Sequence, residues 1–143
     1  MKILLDTCVI VDALQNRVPH SQYAQQIFLD IAARKYIGCI SAKAVTDIYY
    51  LMHRFFHDDK KTRDVLRKLF FLFEVIDTYG LDCINAVDSK MSDYEDAVMS
   101  ETALRNNIDY IITRNIKDYS KSKVKVLSPD QMLGEESVKT FGF

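Results

Sequence analysis

The chain has 143 residues, of which 48% are hydrophobic and 27% charged, and its formal net charge is −1. The hydrophobic fraction is too high for a disordered chain, and the net charge lacks the strong basic excess typical of many nucleic-acid binders. The length fits a single domain over residues 1–143. No apolar run approaches the roughly 20 residues that cross a bilayer, and no export signal opens the chain, so we expect a cytoplasmic protein. The three cysteines are scattered and form no C-x-x-C pair, so we expect neither a disulfide framework nor a zinc site.

Strands and helices are predicted to alternate along the chain. The apolar run over residues 2–5 predicts a buried strand that delivers Asp6 at its carboxyl end. Helical spacing of apolar residues predicts helices near 9–15, 21–35, 44–56, 59–73, 81–88 and 94–105. Further strands are predicted at 37–40, 74–77, 110–113 and 124–127, and Pro129 is suited to start a last short helix. This order favours an α/β fold with a mainly parallel sheet covered on both faces, and the tail after Gly134 is expected to be loose.

Four aspartates are candidates for chemistry because each lies at a strand end or in a helix that faces the carboxyl edge of such a sheet: Asp6, Asp47, Asp96 and Asp118. Any one of them is equally suited to cap a helix. If they converge, their mutual repulsion requires raised pKa values or a bound cation. Carboxylate oxygens select Mg²⁺ or Mn²⁺, and such ions promote hydrolysis of phosphodiesters.

The sequence resembles the PIN-domain family, and within it the VapC-like toxins. The resemblance spans nearly the whole chain and is carried by residues 3–10 (ILLDTCVI), 41–51 (SAKAVTDIYYL), 93–98 (DYEDAV), 112–119 (ITRNIKDY) and 126–133. It implies a Rossmann-like, three-layer α/β/α fold and an Mg²⁺- or Mn²⁺-dependent ribonuclease that cuts RNA. It also implies a homodimer and a cognate antitoxin as partners.

Residue by residue, the resemblance assigns Asp6, Asp96 and Asp118 to the family's metal site. Asp47 stands where the family more often has Glu, so its carboxylate is carried on a side chain one methylene shorter. Asn115 stands where many relatives have Asp, which leaves Asp118 as the acid of that segment. We expect Asp6 and Asp96 to be the principal ligands, with Asp118 and Asp47 completing the set directly or through water.

Several neighbours of these acids are predicted to support them. Thr7, Thr113 and Asn115 are suited to orient carboxylates or to contact a phosphate, or else to form turns. Asp93 is either an extra ligand or the N-cap of the helix that carries Asp96, and the cap is favoured. Arg114 is a candidate phosphate contact or a salt-bridge partner.

For two further sets of residues, a structural role is the favoured prediction. The cations between residues 58 and 68 form either a guide for a phosphate backbone or, as is more common, a solvated helix face. The aromatic residues are expected to lie mostly in the core, with any surplus suited to a protein interface; they are Tyr49, Tyr50, Phe55, Phe56, Phe70, Phe71 and Phe73.

Two other functions compete with a nuclease. A phosphatase of the haloacid-dehalogenase type also begins with a strand that ends in Asp, but its chemistry needs a second Asp two residues later, where this chain has Cys8. A PIN-like module that binds RNA or protein without cutting is the other alternative. The substitutions at positions 47 and 115 favour it, and the retention of Asp6, Asp96 and Asp118 favours the enzyme.

Overall fold

A computed structural model describes residues 1–134 of the chain. Five strands, β1 to β5, cover Lys2–Leu5, Ile37–Ser41, Glu74–Ile76, Tyr110–Ile112 and Val126–Leu127. Six helices, α1 to α6, cover Thr7–Leu14, Ser21–Ala32, Ala42–Phe56, Asp59–Leu72, Gly80–Ala86 and Tyr94–Arg105. A 3-10 helix follows at Ile116–Tyr119, and a further helix, α7, begins at residue 129. The expectation of a loose tail after Gly134 concerns residues outside this range.

The sheet has the strand order β3-β2-β1-β4-β5, and every pair of neighbouring strands is parallel. The central strand β1 aligns Leu4 with Cys39 of β2 and Leu5 with Ile112 of β4. The chain therefore extends the sheet from β1 first on one side, with β2 and β3, and then on the other, with β4 and β5. Parallel sheets with this reversal open a crevice beyond the carboxyl ends of the strands.

Helices cover both faces of the sheet, because successive strand side chains point to opposite sides. Ile3 and Leu5 of β1 pack into one apolar cluster with α1 to α4, whereas Leu4 packs into a second cluster with α6 and the 3-10 helix. These layers confirm the predicted three-layer α/β/α architecture. Within residues 1–134, no helix is long and apolar enough to span a membrane.

The aromatic residues of the α3–α4 hairpin depart from the sequence prediction, which placed most of them in the core. Phe73 is buried, but Phe71 is 94% exposed. Tyr50, Phe55 and Phe70 are also exposed. The prediction was wrong because α3 and α4 pack mainly against each other, against α1 and α2 and against β2 and β3, so one side of each helix meets solvent. Helical spacing alone does not show which side that is.

Candidate functional site

A cavity of about 200 Å³ lies beyond the carboxyl ends of β1 to β3, at the start of α6. Its charged lining consists of four carboxylates and one ammonium group: Asp6, Asp47, Glu95, Asp96 and Lys43. The strand order explains its position, because β1 is the point at which the sheet reverses direction. Four acids against one base make the cavity strongly negative.

Asp6 is held at the base of this site by the backbone and by the neighbouring strand. It is the N-cap of α1, and its Oδ1 accepts a hydrogen bond from the Thr7 amide at 2.8 Å. Its Oδ2 accepts from the Thr113 hydroxyl at 2.8 Å. Thr113 directly follows β4, which pairs with β1, so the register of two strands brings these side chains together. Burial raises the pKa of Asp6, while the hydrogen bonds from Thr113 and Thr7 and the charge of Lys43 oppose that rise.

Asp96 faces Asp6 from the first turn of α6. Asp93 is the N-cap of that helix, and its Oδ1 accepts from the Asp96 amide at 3.0 Å, as the favoured prediction for Asp93 stated. Burial and then the charge of Asp6 raise the pKa of Asp96 to about 6, and the charges of Asp93 and Asp118 act in the same direction. Asp6 and Asp96 therefore repel each other across the site.

Tyr119 lies beneath this pair of carboxylates. Its side chain is 3% exposed, and burial followed by the charges of Asp6 and Asp96 raises the pKa of its hydroxyl. The phenol is close enough to Asp96 to lower the pKa of that acid. This effect is a hydrogen bond between the Tyr119 hydroxyl and the Asp96 carboxylate, which also raises the pKa of the phenol. The two carboxylates and this buried phenol therefore form one group of interacting polar side chains.

Asp118 and Asp47 lie further out. Asp118 is exposed on the 3-10 helix and does not line the cavity, although its charge raises the pKa of Asp96. Asp47 lines the cavity, but its side chain is 52% exposed and its Oδ2 lies 3.5 Å from the Lys43 ammonium group. Within the described range, no three acidic, histidine or cysteine side chains stand close enough together to enclose a metal ion as they are placed.

The donors themselves fit a hard divalent cation. Asp6 and Asp96 present carboxylate oxygens, which Mg²⁺ and Mn²⁺ prefer. Burial and then the charge of Asp6 raise the pKa of Asp96 to about 6, and the four carboxylates of the cavity outnumber its one ammonium group. A bound cation would balance that excess of negative charge.

The other predicted residues occupy different surroundings. Asn115 is exposed, and its backbone amide donates to the Thr113 hydroxyl at 3.1 Å. Arg114 donates from Nε to Oδ2 of the buried Asp12 at 2.6 Å and from Nη2 to Oδ1 at 3.2 Å. This bidentate ion pair is the salt-bridge alternative for Arg114, and it occupies the face of the guanidinium that would recognise a phosphate.

The basic segment of α4 also makes ion pairs within its own helix. Arg63 pairs with Asp59, and Arg67 pairs with Asp64, at spacings of four and three residues. The Lys61 ammonium lies 4.4 Å from the ring centre of Phe56 in the same hairpin. These contacts favour the solvated-face interpretation over a guide for RNA.

Sequence reasoning missed Lys43, Glu95, Tyr119 and Asp12. Two of them carried a usable signal, since Lys43 precedes Asp47 by one helical turn and Glu95 directly precedes Asp96. Asp12 and Tyr119 carried none, because their roles arise from burial.

The chain is similar to proteins of one family. The family model for the PIN domain matches residues 2–117. Ribonuclease VapC1 of Aquifex aeolicus (strain VF5) is 23% identical over 135 residues, which cover 91% of this chain and 92% of that protein.

Solved structures share the fold at low sequence identity. VapBC2 of Rickettsia felis, bound to a DNA fragment from its promoter, has a TM-score of 0.67 at 16% identity over 90% of this chain and 98% of the other. A toxin–antitoxin complex from Klebsiella pneumoniae has a TM-score of 0.64 at 22% identity, covering 89% and 97%. VapC20 of Mycobacterium tuberculosis, described as a toxin that cleaves the sarcin-ricin loop, has a TM-score of 0.64 at 12% identity, covering 86% and 98%.

Proposed function

Because the chain belongs to the PIN domain family, we propose that it is an endoribonuclease that depends on Mg²⁺ or Mn²⁺ and hydrolyses RNA phosphodiester bonds. The observation that carries this proposal is the facing pair Asp6 and Asp96, with the pKa of Asp96 raised to about 6 at the carboxyl edge of the sheet. The similarity to Ribonuclease VapC1 supports RNA as the substrate. By family analogy, the products carry 5′-phosphate and 3′-hydroxyl ends.

Asp6 and Asp96 are the residues that would hold the cation, with Asp118 and Asp47 completing the set directly or through water. A bound Mg²⁺ or Mn²⁺ supplies an activated water and neutralises charge that develops during hydrolysis. The chain's own residues prepare the site for it. Thr113 and the Thr7 amide fix both oxygens of Asp6, and the Asp93 cap fixes the helix turn that presents Asp96.

The same comparisons support a proposal about the partners of this chain. The solved relatives include toxin–antitoxin complexes, and we propose a cognate antitoxin and a homodimer for this chain in the cytoplasm. The exposed aromatic side chains of the α3–α4 hairpin, Tyr50, Phe55, Phe70 and Phe71, are suited to a protein interface.

A non-catalytic module that binds RNA or protein is the second candidate. It is favoured by the exposed position of Asp47, whose carboxylate pairs with Lys43. It also fits the lack of three assembled metal ligands within residues 1–134.

Cleavage of RNA by the purified full chain tests both candidates. We expect cutting with Mn²⁺ or Mg²⁺ that stops on adding EDTA, and loss of cutting in Asp6→Asn and Asp96→Asn proteins that remain folded by circular dichroism. Asp64→Asn, which changes an exposed aspartate of α4, is the matched control and should cut normally. Activity that survives EDTA would refute the metal dependence, and full activity in both site variants would refute the assignment. RNA binding without cleavage would favour the non-catalytic module.

A further inference from the structure

The cavity that holds the carboxylates also contains a cation whose role the proposed reaction does not explain. Lys43 is the second residue of α3, directly beyond the carboxyl end of β2. It is the sole positively charged residue among the described side chains that line the cavity. Its ammonium group lies 3.2 Å from Oε1 of Glu95 and 3.5 Å from Oδ2 of Asp47, and its charge acts on Asp6 as well.

The partners of Lys43 are well exposed and therefore hold it weakly. The Glu95 side chain is 73% exposed and that of Lys43 is 38% exposed. Ion pairs between such side chains are screened by solvent and exchange partners readily. An incoming phosphate, which is also an anion, competes with these carboxylates on equal terms.

An RNA strand that reaches this site faces an electrostatic barrier. Its phosphates must approach a cavity lined by Asp6, Asp47, Glu95 and Asp96. A cation at the rim offsets that repulsion and gives the backbone a fixed point of contact. Arg114 does not supply this cation, because it is engaged with the buried Asp12.

A second polar group lies in the same cavity. Thr78, two residues beyond β3, lines it, and the buried Thr78 hydroxyl has no hydrogen-bond partner among the described residues. Lys43 and Thr78 stand beyond β2 and β3, whereas Asp6 stands beyond β1. The Thr78 hydroxyl is buried, whereas the Lys43 side chain is 38% exposed, so Lys43 is the one of these two groups that an incoming strand can reach.

We infer that Lys43 is an RNA-binding residue that exchanges Glu95 and Asp47 for a backbone phosphate next to the bond that is cut. This inference rests on the proposed ribonuclease function and assigns it a substrate subsite. The substrate class is a single strand of RNA whose backbone passes Lys43, beyond β2, and reaches Asp6, beyond β1.

Binding of a fluorescein-labelled, single-stranded RNA of mixed sequence, measured by anisotropy in EDTA, tests the inference without involving a metal. We expect Lys43→Met to weaken binding by about tenfold and to reduce the slope of log K against log salt by about 0.7, the value for one phosphate contact on a single strand. Lys43→Arg, which keeps the charge, should retain most of the affinity. Under cleavage conditions, Lys43→Met should raise KM more than it lowers kcat.

Lys35→Met is the matched control. Lys35 also forms an ion pair, with Asp30 at 3.5 Å, and its side chain is 47% exposed. It precedes β2 and so lies at the opposite edge of the sheet from the cavity. Unchanged binding by Lys43→Met, or an equal loss in Lys35→Met, would overturn the inference.

The pairing with Glu95 gives a second check. Glu95→Gln should tighten RNA binding in the wild-type background, because it releases Lys43 and removes one negative charge from the cavity. The gain should be smaller in the Lys43→Met background, where only the loss of repulsion remains. An equal gain in both backgrounds would contradict the exchange of partners. If the wild-type chain neither binds nor cuts RNA, the proposed function fails, whereas a wild type that cuts RNA beside an unaffected Lys43→Met refutes the subsite alone.

Discussion

Replacing Asp96 with Asn should make the metal-free protein more stable, because burial and the charge of Asp6 disfavour the ionised carboxylate in the folded state. Burial and the charge of Asp6 raise the pKa of Asp96 from 3.8 to about 6. The folded state therefore disfavours the ionised form relative to the unfolded chain. An asparagine keeps the shape of the side chain and removes its charge.

The size of the effect follows from the pKa. A shift from 3.8 to about 6 corresponds to about 3 kcal/mol at neutral pH. Partial exposure of Asp96 lessens that value, and Asn loses the favourable interaction of a carboxylate with the amino end of α6, about 0.3–1 kcal/mol. We expect a net gain of about 1–2 kcal/mol in the free energy of unfolding, or about 3–8 °C in Tm.

The pH dependence has a defined sign. The pKa of Asp96 is higher in the folded state than in the unfolded state, so the folded protein binds the proton more tightly. The stability that protonation contributes is present below about pH 4 and is lost as the pH rises through 6. The advantage of Asp96→Asn should therefore be largest above pH 6 and fall to about half at pH 5.

Thermal melts in EDTA at pH 7.5 and pH 5, with and without Mn²⁺, measure these effects. Mn²⁺ should raise the Tm of the wild type more than that of Asp96→Asn, because the wild type binds it more tightly. Glu95→Gln is the control from the same helix turn, and we expect it to be neutral or slightly destabilising. A lower Tm for Asp96→Asn in EDTA at pH 7.5, or a gain in Tm that does not shrink at pH 5, would show that burial and the charge of Asp6 do not destabilise the ionised Asp96.

Three other substitutions test the surroundings of the site. Thr113→Val removes the donor to Asp6, so it should lower stability by about 1 kcal/mol and shift the acidic limb of the pH–activity profile to higher pH; an unmoved limb would contradict this. Arg114→Met leaves the buried Asp12 without its bidentate partner and should lower the free energy of unfolding in urea by about 3 kcal/mol; unchanged stability with weaker RNA binding would instead make Arg114 a phosphate contact. Hydrogen bonds from Arg105 to the buried Asp82 hold the pKa of that carboxyl below 3.8, so its contribution to stability is complete at neutral pH and begins to be lost as the pH falls below about 4. Urea titrations at pH 7 and pH 3.5 should show the deficit of Asp82→Asn shrinking at the lower pH.

Much of the fold was predictable because local patterns agree with the tertiary structure. The helix at Tyr94–Arg105 was predicted at both ends, since Asp93 is a strong N-cap and the apolar spacing ends at Arg105. The 3-10 helix at Ile116–Tyr119 was not predicted, because four residues leave no periodicity to detect. The exposure of Phe70 and Phe71 was missed because packing between helices decides which side is covered.

What the sequence by itself determined is the chemistry available and its approximate position: acids after a strand and early in helices, in an order that resembles one family. Only the tertiary structure decided which groups meet. Thr113 reaches Asp6 across 107 positions of the chain, and Lys43 reaches Glu95 across 52. The physical reason is that repulsion, hydrogen bonding and burial depend on distance through space, and the parallel register of β1 with β4 and the placement of α6 set those distances.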